Sequence, residues 1–493
     1  MGSESDRPDL PRDPVEPDGP RVGVDEWVAS ADRLQDRPAG VAGALRRAGE
    51  VVTPPIQLAI FAGLAATVPF WLGTGDLFTY GIFVLLYVLL GLGLNTIVGF
   101  AGLLDLGYVA FFGFGAYMYA ILSSDHYGIH WPAIVTVPLV VVTTASLGLL
   151  LGIPSRRLLG DYLAIVTLFF GQAFVVFVNA TNPVVAGKGL TGGPNGIADI
   201  DPLSFFGLEA TTRTQQYYVL LVSAVLILTG LHFVNQSRTG RALRSLREDP
   251  LAAGAIGIPV NRLKLMAFAI GAGIAGFTGC IFGTLLTAVT AGNFDIPILI
   301  TIYAVVILGG FGSLSGVVLG ALVITVSFQF LAPENPQNNA RVLFYLLIVL
   351  VIVLLLRSWW RVALVLAATV ALGVAVQAAV EAVAPSWAGG PVVEGGRLGD
   401  LIDSWVLIPE GHQDFGNVAY VALVVAVLAV TQLRPSRRIF ALPAVAYLAA
   451  VVWETSFVLQ PAVARWILFG ALLVVLMNVR PQGLLGTPRV EIV

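Results

Sequence analysis

Runs without a single Lys, Arg, Asp or Glu recur along nearly the whole sequence, and they limit its fold more than any other feature. The stretch from Ile296 to Pro333 is one of the longest. A helix needs about 20 predominantly apolar residues to cross the hydrocarbon core of a bilayer. The recurrence of such runs predicts an all-α fold, a polytopic bundle of transmembrane helices.

The composition supports the same class. Of the 493 residues, 57% are hydrophobic and only 12% are charged, and the mean hydropathy is +0.86. In soluble domains about a quarter of the residues are charged. The single cysteine, Cys280, lies in an apolar run, which excludes both a disulfide framework and a metal site built from cysteines.

About fourteen apolar runs are long enough, or nearly so, to count as membrane helices. We place them at residues 56–74, 78–98, 106–122, 132–152, 162–180, 216–234, 265–288, 297–309, 314–331, 342–357, 362–382, 417–433, 439–457 and 463–479. The uncharged stretch after residue 296 is too long for one span. The sequence GGFGSLSG, Gly309–Gly316, therefore predicts a turn or helix break.

The basic residues predict the orientation of these helices. With the amino end placed inside and the helices alternating, most Lys and Arg residues fall in cytoplasmic loops, as the positive-inside rule requires. The outer loops lean acidic, with Asp295 among them. Both termini are therefore predicted to be cytoplasmic, in a multi-pass protein of the inner (plasma) membrane.

One long polar passage, Arg238–Phe268, separates two of the apolar runs. Arginines stand at every third position of its first part, which spreads them over one broad face of a helix. They are Arg238, Arg241, Arg244 and Arg247. Glu248 and Asp249 then precede Pro250, an arrangement typical of the start of a second helix.

The second helix is expected to run from Pro250 to Gly257. Its small residues, among them Ala252 and Ala253, would let another backbone or a bulky side chain approach closely. Gly257 can adopt the left-handed conformation that ends a helix, and Pro259 prevents the helix from resuming. From its residues alone, the passage is either a docking element for a cytoplasmic partner or a basic membrane-surface loop that touches nothing.

Four polar residues lie within the apolar runs or beside them and are candidates for a translocation pathway. Asn95 and Asp105 belong to a glycine-rich block, and Gln172 and Asn179 share a later run. A carboxylate at mid-membrane costs about 2.5 to 3.5 kcal/mol, so such groups normally face a cavity or a partner. Two alternatives stay open: Asp105 caps the helix that begins at Leu106, and helix–helix hydrogen bonding accounts for the amides.

Three other patterns are rejected. Gly271, Gly273 and Gly276 have the spacing of a dinucleotide-binding loop, but they lie in a long apolar run, where glycines serve helix packing. His126 and His130 stand four residues apart, yet no third metal ligand is evident and the neighbouring residues favour a loop. The sequence contains no P-loop, so nucleotide hydrolysis would need another chain.

Several sequence blocks carry a resemblance to a known family. They are GLGLNTIVGFAGLLDLGYVAFFGFGAYMYAIL at Gly91–Leu122, GDYLAIVTLFFGQAF at Gly160–Phe174, TGGPNGI at Thr191–Ile197, VVILGGFGSLSGVVLGA at Val305–Ala321 and RWILFGALLVVLMNVRPQGLLG at Arg465–Gly486. Together with the polar passage, they resemble the LivM-type permeases of branched-chain amino acid ABC transporters.

The resemblance implies a permease subunit of an ABC importer that translocates branched-chain amino acids. It is not an enzyme and has no nucleotide-binding site of its own. The implied partners are two cytoplasmic ATP-binding cassette subunits, a second permease subunit, an extracellular or periplasmic substrate-binding protein and the lipid bilayer. No nucleic acid, cofactor or metal is expected.

In that family the cytoplasmic loop docks into a groove of the ATPase and transmits the stroke of ATP hydrolysis. This implies a coupling role for Arg244, Glu248, Asp249, Ala252, Ala253 and Gly257. The general importer pattern has an acidic residue before the paired alanines, where this chain has Leu251.

The resemblance also divides the chain. Residues 1–50, rich in acidic residues and Pro, form a disordered cytoplasmic tail. Residues 51–335 form the permease core, with the coupling loop at 236–264. Residues 336–460 are extra transmembrane helices inserted relative to the family, and residues 461–493 are the last transmembrane helix with its cytoplasmic tail.

Three alternative functions stay open. Permeases for urea or short amides share the blocks quoted above. An ion-coupled secondary transporter would need coupling groups at mid-depth, where only Asp105 is a candidate. A polytopic membrane enzyme would need clustered His, Asp or Glu near one interface, and the four histidines do not provide such a cluster.

Overall fold

The structure is a computed structural model of the chain. It describes residues 54–155, 161–180, 184–185, 188–205, 208–330, 339–356, 358–387, 405–409, 413–433, 435–457, 461–479 and 483–485. The chain divides into two units, Met1–Phe61 and Ala62–Val493. In the first unit the described residues are the helical residues 54–61, and the predicted tail at 1–50 lies outside the described residues.

Helices dominate the described residues. The first eight are α1 Pro54–Trp71, α2 Thr74–Phe100, α3 Tyr108–Leu122, α4 Ala133–Ser155, α5 Asp161–Ala180, α6 Arg213–Gln236, α7 Arg238–Glu248 and α8 Pro250–Ala255. The next eight are α9 Val260–Leu286, α10 Ile296–Gly309, α11 Leu314–Phe330, α12 Asn339–Leu356, α13 Trp359–Val383, α14 Gln413–Gln432, α15 Pro435–Val452 and α16 Pro461–Val479. The predicted helical fold is confirmed.

Eight helical segments in the described ranges are long and apolar enough to cross a membrane. They are Thr74–Phe100, Ala133–Pro154, Tyr162–Ala180, Arg213–Gln236, Val260–Leu286, Ala291–Gly309, Trp359–Val383 and Arg438–Ser456. Shorter apolar helices of 10–17 residues accompany them, including Tyr108–Leu122 and Leu314–Phe328. The chain is a multi-pass membrane protein, while the count of about fourteen crossings and the cytoplasmic termini stay predictions.

Helix α2 is irregular at both ends, with π-helical turns at Leu77–Ile82 and Thr96–Phe100. Non-helical backbone then leads into α3. The predicted break in the later uncharged stretch is also present, because α10 ends at Gly309 and α11 begins at Leu314. Between them Gly310 and Gly312 have positive φ, a conformation that glycine adopts without steric cost.

Glycines bring α3 and α9 into backbone contact at the centre of the bundle. A Cβ atom at Gly115 would overlap the backbone of Gly276, and one at Gly279 would lie 2.6 Å from the amide nitrogen of Ala116. Gly276 also packs against Thr144 of α4. The glycines of α9 therefore serve helix packing, as the sequence indicated.

Short strands precede or follow several of the described helices. The eight strands are β1 Ser123–Ser124, β2 Ile129–His130, β3 Val184–Val185, β4 Lys188–Gly189, β5 Ile197–Ala198, β6 Ser204–Phe205, β7 Leu208–Glu209 and β8 Ala288–Val289. They pair antiparallel as β1–β2, β3–β4, β5–β8 and β6–β7. The β5–β8 pair ties the loop after α5 to the end of α9, a connection that the sequence did not predict.

A buried ion pair lies among the helices toward the carboxyl end. The guanidinium of Arg341 in α12 donates to Glu454 at 2.8 Å, and Tyr345 donates its hydroxyl proton to the same carboxylate at 3.2 Å. Glu454 belongs to a π-helical turn after α15, where Trp453 stacks on Phe344. This cluster joins α12 to the last turns of α15.

Candidate functional site

Helices α7 and α8 form the polar element that the sequence singled out. The hydroxyl of Ser237 accepts a hydrogen bond from the N–H of Gly240 at 3.2 Å and so caps α7. Leu243 and Leu246 are buried. Three of the arginines point outward, and the carboxyl-terminal turn of α7 leads directly into α8.

Asp249 connects the two helices. One carboxylate oxygen accepts hydrogen bonds from the N–H of Leu251 at 2.7 Å and of Ala252 at 3.0 Å. Pro250 occupies the first turn of α8. These are the contacts of an amino-terminal helix cap, so the predicted helix start is confirmed.

Gly257 ends α8 in the predicted left-handed conformation, with φ of +84°. Its N–H donates to the carbonyl of Gly254 at 3.1 Å, and the N–H of Ile258 donates to the carbonyl of Ala253 at 3.0 Å. This pair of hydrogen bonds is a Schellman motif. The element therefore has a defined shape at both ends.

A groove of about 420 Å³ lies along the α7–α8 pair. It is lined by Arg244, Ser245, Glu248, Asp249, Ala252, Ala253 and Ile256. Five of the six residues predicted for coupling are in this set, and the sixth, Gly257, ends α8 instead. Leu251 and Ile256 are 83% and 76% exposed, so the pair presents apolar side chains beside its charged ones.

Arg247 differs from the other arginines of α7 because its side chain turns into the protein. That side chain is only 9% exposed, and one guanidinium nitrogen donates to the carbonyl of Gly99 at 2.7 Å. Gly102, with φ of +70°, packs directly on its Cα, Cβ and Cγ atoms. The expectation that all four arginines share one face is therefore wrong for Arg247, since a tertiary contact with the end of α2 places it.

Asn95 is fully buried on α2. Its side-chain oxygen accepts a hydrogen bond from the N–H of Gly312 at 2.8 Å. Gly312 belongs to the turn between α10 and α11, so Asn95 joins α2 to that turn.

Asp105 is fully buried in the connection from α2 to α3. The N–H of Gly107 donates to its carboxylate at 2.9 Å, two residues along the chain and just before α3. The hydroxyl of Tyr303 donates to the Asp105 carbonyl at 2.6 Å, and the N–H of Leu106 donates to Thr167 at 2.9 Å. Asp105 thus lies where α3, α5 and α10 meet.

Gln172 and Asn179 lie on α5 and have different surroundings. The amide of Gln172 is half-buried and reaches the carboxylate of Asp295 at 3.5 Å, whereas Asn179 is exposed. Asp295 also accepts from the N–H of Ile296 at 2.7 Å and caps α10. The preceding Phe294 anchors this turn among aromatic rings of α3, α5 and α9.

His126 and His130 belong to the β1–β2 hairpin or its turn. His130 lies 2.8 Å from Asp201 and 3.2 Å from Asp125. The hydrogen bond to Asp201 raises the pKa of His130 above its ordinary value, and the nearby charges of both carboxylates add to this. Within the described ranges no cluster of three or more His, Cys, Asp or Glu residues could hold a metal ion.

Two parts of this site were missed at the sequence level. Asp295 drew attention only as an acidic loop residue, and Arg247 only as one of a row of arginines. Both act through contacts with residues more than a hundred positions away, Gln172 and Gly99. Spacing along one helix carries no signal for such contacts.

The described helices place the chain in the class of multi-pass helical membrane proteins that carry a capped polar helix pair. The chain belongs to the family of permease components of branched-chain amino acid transport systems, whose family model matches residues 77–356.

Named relatives support the assignment. The chain is 35% identical to the high-affinity branched-chain amino acid transport system permease protein LivM of Salmonella typhimurium, over 58% of this chain and 71% of that protein. LivM of Escherichia coli K12 is equally similar. The probable LivM of Methanocaldococcus jannaschii is 26% identical over 38% of this chain and 54% of its own length. No solved structure matches the chain.

Proposed function

We propose that the protein is the membrane permease subunit of an ABC importer for branched-chain amino acids. The observation that carries this proposal is the α7–α8 pair, whose groove is lined by charged residues and Ile256 and which also exposes Leu251. An exposed apolar patch with a polar rim is typical of a protein-binding surface. Its partner would be an ATP-binding cassette subunit, two copies of which hydrolyse ATP for the permease.

In this proposal the groove is where the ATPase docks. Ala252 and Ala253 leave room for an incoming side chain, while Arg244, Glu248 and Asp249 supply charges around it. The caps at both ends of α8 make the element rigid. A displacement of the ATPase would therefore move α7 and α8 together instead of unwinding them.

The solute pathway is proposed to run along α5 where that helix faces α3 and α10. Asp105 and Gln172 both contact α10 or the residue that caps it, and Asn179 continues along α5. Asn95 would border the same pathway near the α10–α11 turn. Polar groups are costly in hydrocarbon, so their recurrence on α5 and beside it supports this route, although Asn179 is exposed.

The remaining partners and the location follow from the same proposal. A second permease subunit would complete the pathway, and an extracellular or periplasmic binding protein would deliver the solute to the loops between α5 and α6. The protein would lie in the plasma membrane with both termini in the cytoplasm. This arrangement requires α7 and α8 to face the ATPases.

Reconstitution into liposomes with the cognate ATPases, second permease and binding protein tests the proposal. We expect uptake of labelled leucine that requires ATP on the side of the liposome membrane where the ATPases are bound. This uptake should exceed the uptake of labelled urea. Uptake of urea in preference to leucine would instead identify the protein as a permease for urea or short amides. Uptake driven by an ion gradient without the ATPases would refute the importer and favour a secondary transporter.

A further inference from the structure

The inward-facing Arg247 stands where three parts of the chain converge. It lies in the last turn of α7, between Arg244 and Glu248 of the groove. Its guanidinium donates to Gly99 in the final turn of α2, and it lies beside the α10–α11 turn at Gly312. The Arg247 side chain thus links α7 to the end of α2 and to the α10–α11 turn.

The contact with α2 is electrostatically favourable. Gly99 belongs to the π-helical end of α2, where carbonyl groups lack partners within the helix and carry partial negative charge. A guanidinium that donates to such a carbonyl makes a charge-assisted hydrogen bond, about twice as strong as a neutral one. Burial of the Arg247 side chain protects this bond from competing water.

The contact with the α10–α11 turn depends on a glycine. A Cβ atom at Gly312 would lie 2.7 Å from the Arg247 guanidinium nitrogen, so any larger residue would displace it. The N–H of Gly312 is meanwhile held by Asn95 of α2. Arg247, the end of α2 and the α10–α11 turn therefore form one connected unit, which we name the Arg247 node: Arg247, Asn95, Gly99, Gly102 and Gly312.

We infer that Arg247 is the positioning residue that transmits movement of the docked α7–α8 pair to α2 and to the α10–α11 turn. The inference rests on the proposed importer function and adds the mechanical connection inside the permease. Arg247 is not among the residues that line the groove. Removal of its side chain should therefore leave ATPase docking and ATP hydrolysis intact but reduce the amount of solute moved per ATP hydrolysed.

Uptake per ATP hydrolysed, measured in the reconstituted complex, tests this role. For Arg247→Met we expect intact assembly and continued ATP hydrolysis, with uptake per ATP lower by about tenfold, a factor typical of a lost hydrogen bond to a charged group. Arg247→Lys keeps a cation within reach of Gly99 and should recover part of the ratio. Arg238→Met, an exposed arginine of the same helix, is the matched control and should keep the wild-type ratio.

A second variant changes the residue of the α10–α11 turn that contacts Arg247. Gly312→Ala keeps Arg247 but displaces its guanidinium and strains the turn, which has φ of +80°, so uptake per ATP hydrolysed should fall here too. This variant and Arg247→Lys decide the matter if Arg247→Met does not assemble. Wild-type uptake per ATP hydrolysed in the variants that assemble would overturn the role of Arg247. An equal loss of ATP hydrolysis and uptake would also overturn it, because that result would indicate failed docking of the ATPase. Absence of ATP-dependent uptake by the wild-type complex would instead refute the importer function.

Discussion

At the scale of single residues, Asp249 shows how one side chain shapes the α7–α8 pair. Its carboxylate holds the first two free N–H groups of α8, Leu251 and Ala252. Because the helix has only six residues, it has few other hydrogen bonds that could keep it formed. The cap therefore controls whether the α8 residues that line the groove keep their helical conformation.

Replacing Asp249 with Ala should cost about 1 kcal/mol of local helix stability. Hydrogen–deuterium exchange of the segment 250–256 is expected to accelerate about fivefold, the factor that 1 kcal/mol corresponds to. Asp249→Asn retains a capping oxygen and is the control, with exchange close to that of the wild type. Equal exchange in the Ala variant and the wild type would show that the cap does not hold α8.

His130 is expected to make the hairpin 123–130 sensitive to pH. The pKa of the folded-state imidazole is raised by Asp201, and the charge of Asp125 adds to this. The protonated ring therefore contributes stability that is fully present below the ordinary pKa of about 6.5 and is lost as pH rises through the raised pKa. The hairpin 123–130 should lose protection from hydrogen exchange over that window, after correction for intrinsic exchange.

His130→Gln is the control for this prediction, because it keeps a polar side chain without a titrating group. Its hairpin protection should not depend on pH between about 5 and 8. A wild-type profile as flat as that of the variant would contradict the assignment.

At the scale of helices, close packing through glycine explains the shape of the bundle centre. A side chain at Gly279 would meet the backbone of α3 at Phe112 and Ala116. The substitution Gly279→Leu should destabilise the protein by about 1 to 3 kcal/mol or more, because two helices would have to separate. Thermal unfolding in detergent would show this as a lower midpoint.

The matched substitution is Gly230→Leu, since a Cβ atom at Gly230 on α6 would meet no neighbouring atom within 4 Å. Its midpoint should stay close to that of the wild type. Comparable midpoints for the two variants would mean that the α3–α9 contact does not depend on glycine.

The sequence predicted helices well where the signal is local. Asp249, Pro250 and Gly257 mark the ends of α8 through chemistry within a few residues, and the break at Gly309 follows from the length of an uncharged run. Arg247 could not be assigned in this way, and for Asp295 only the local cap on α10 has a signal in the sequence. Their orientation depends on Gly99 and Gln172, which only the packed bundle brings near them.

At the scale of the whole molecule, one ion pair connects the matched family segment to later helices. Arg341 lies within residues 77–356 and Glu454 lies beyond them. Both side chains are almost fully buried. Both residues lie within the segment 336–460 that is predicted to be inserted, so the pair joins α12, the first of the extra helices, to the π-helical turn after α15.

Removing one partner of this pair should be costly. Glu454→Leu leaves a buried guanidinium without its counter-charge and is expected to destabilise the protein by about 3 to 5 kcal/mol, whereas replacing both partners with apolar residues is often neutral. The double variant Arg341→Met, Glu454→Leu should therefore unfold closer to the wild type than the single variant does. A single variant as stable as the wild type would contradict the importance of the pair.

The central claim is that the α7–α8 pair carries ATP-driven movement into the membrane helices. The most direct measurement compares leucine uptake by the reconstituted complex containing the wild-type chain with uptake by a chain whose residues 248–258 are scrambled. Both chains must first be shown to insert equally into the membrane. We predict that uptake by the scrambled chain falls to the level seen without ATP, and undiminished ATP-dependent uptake with normal ATPase assembly would contradict the claim.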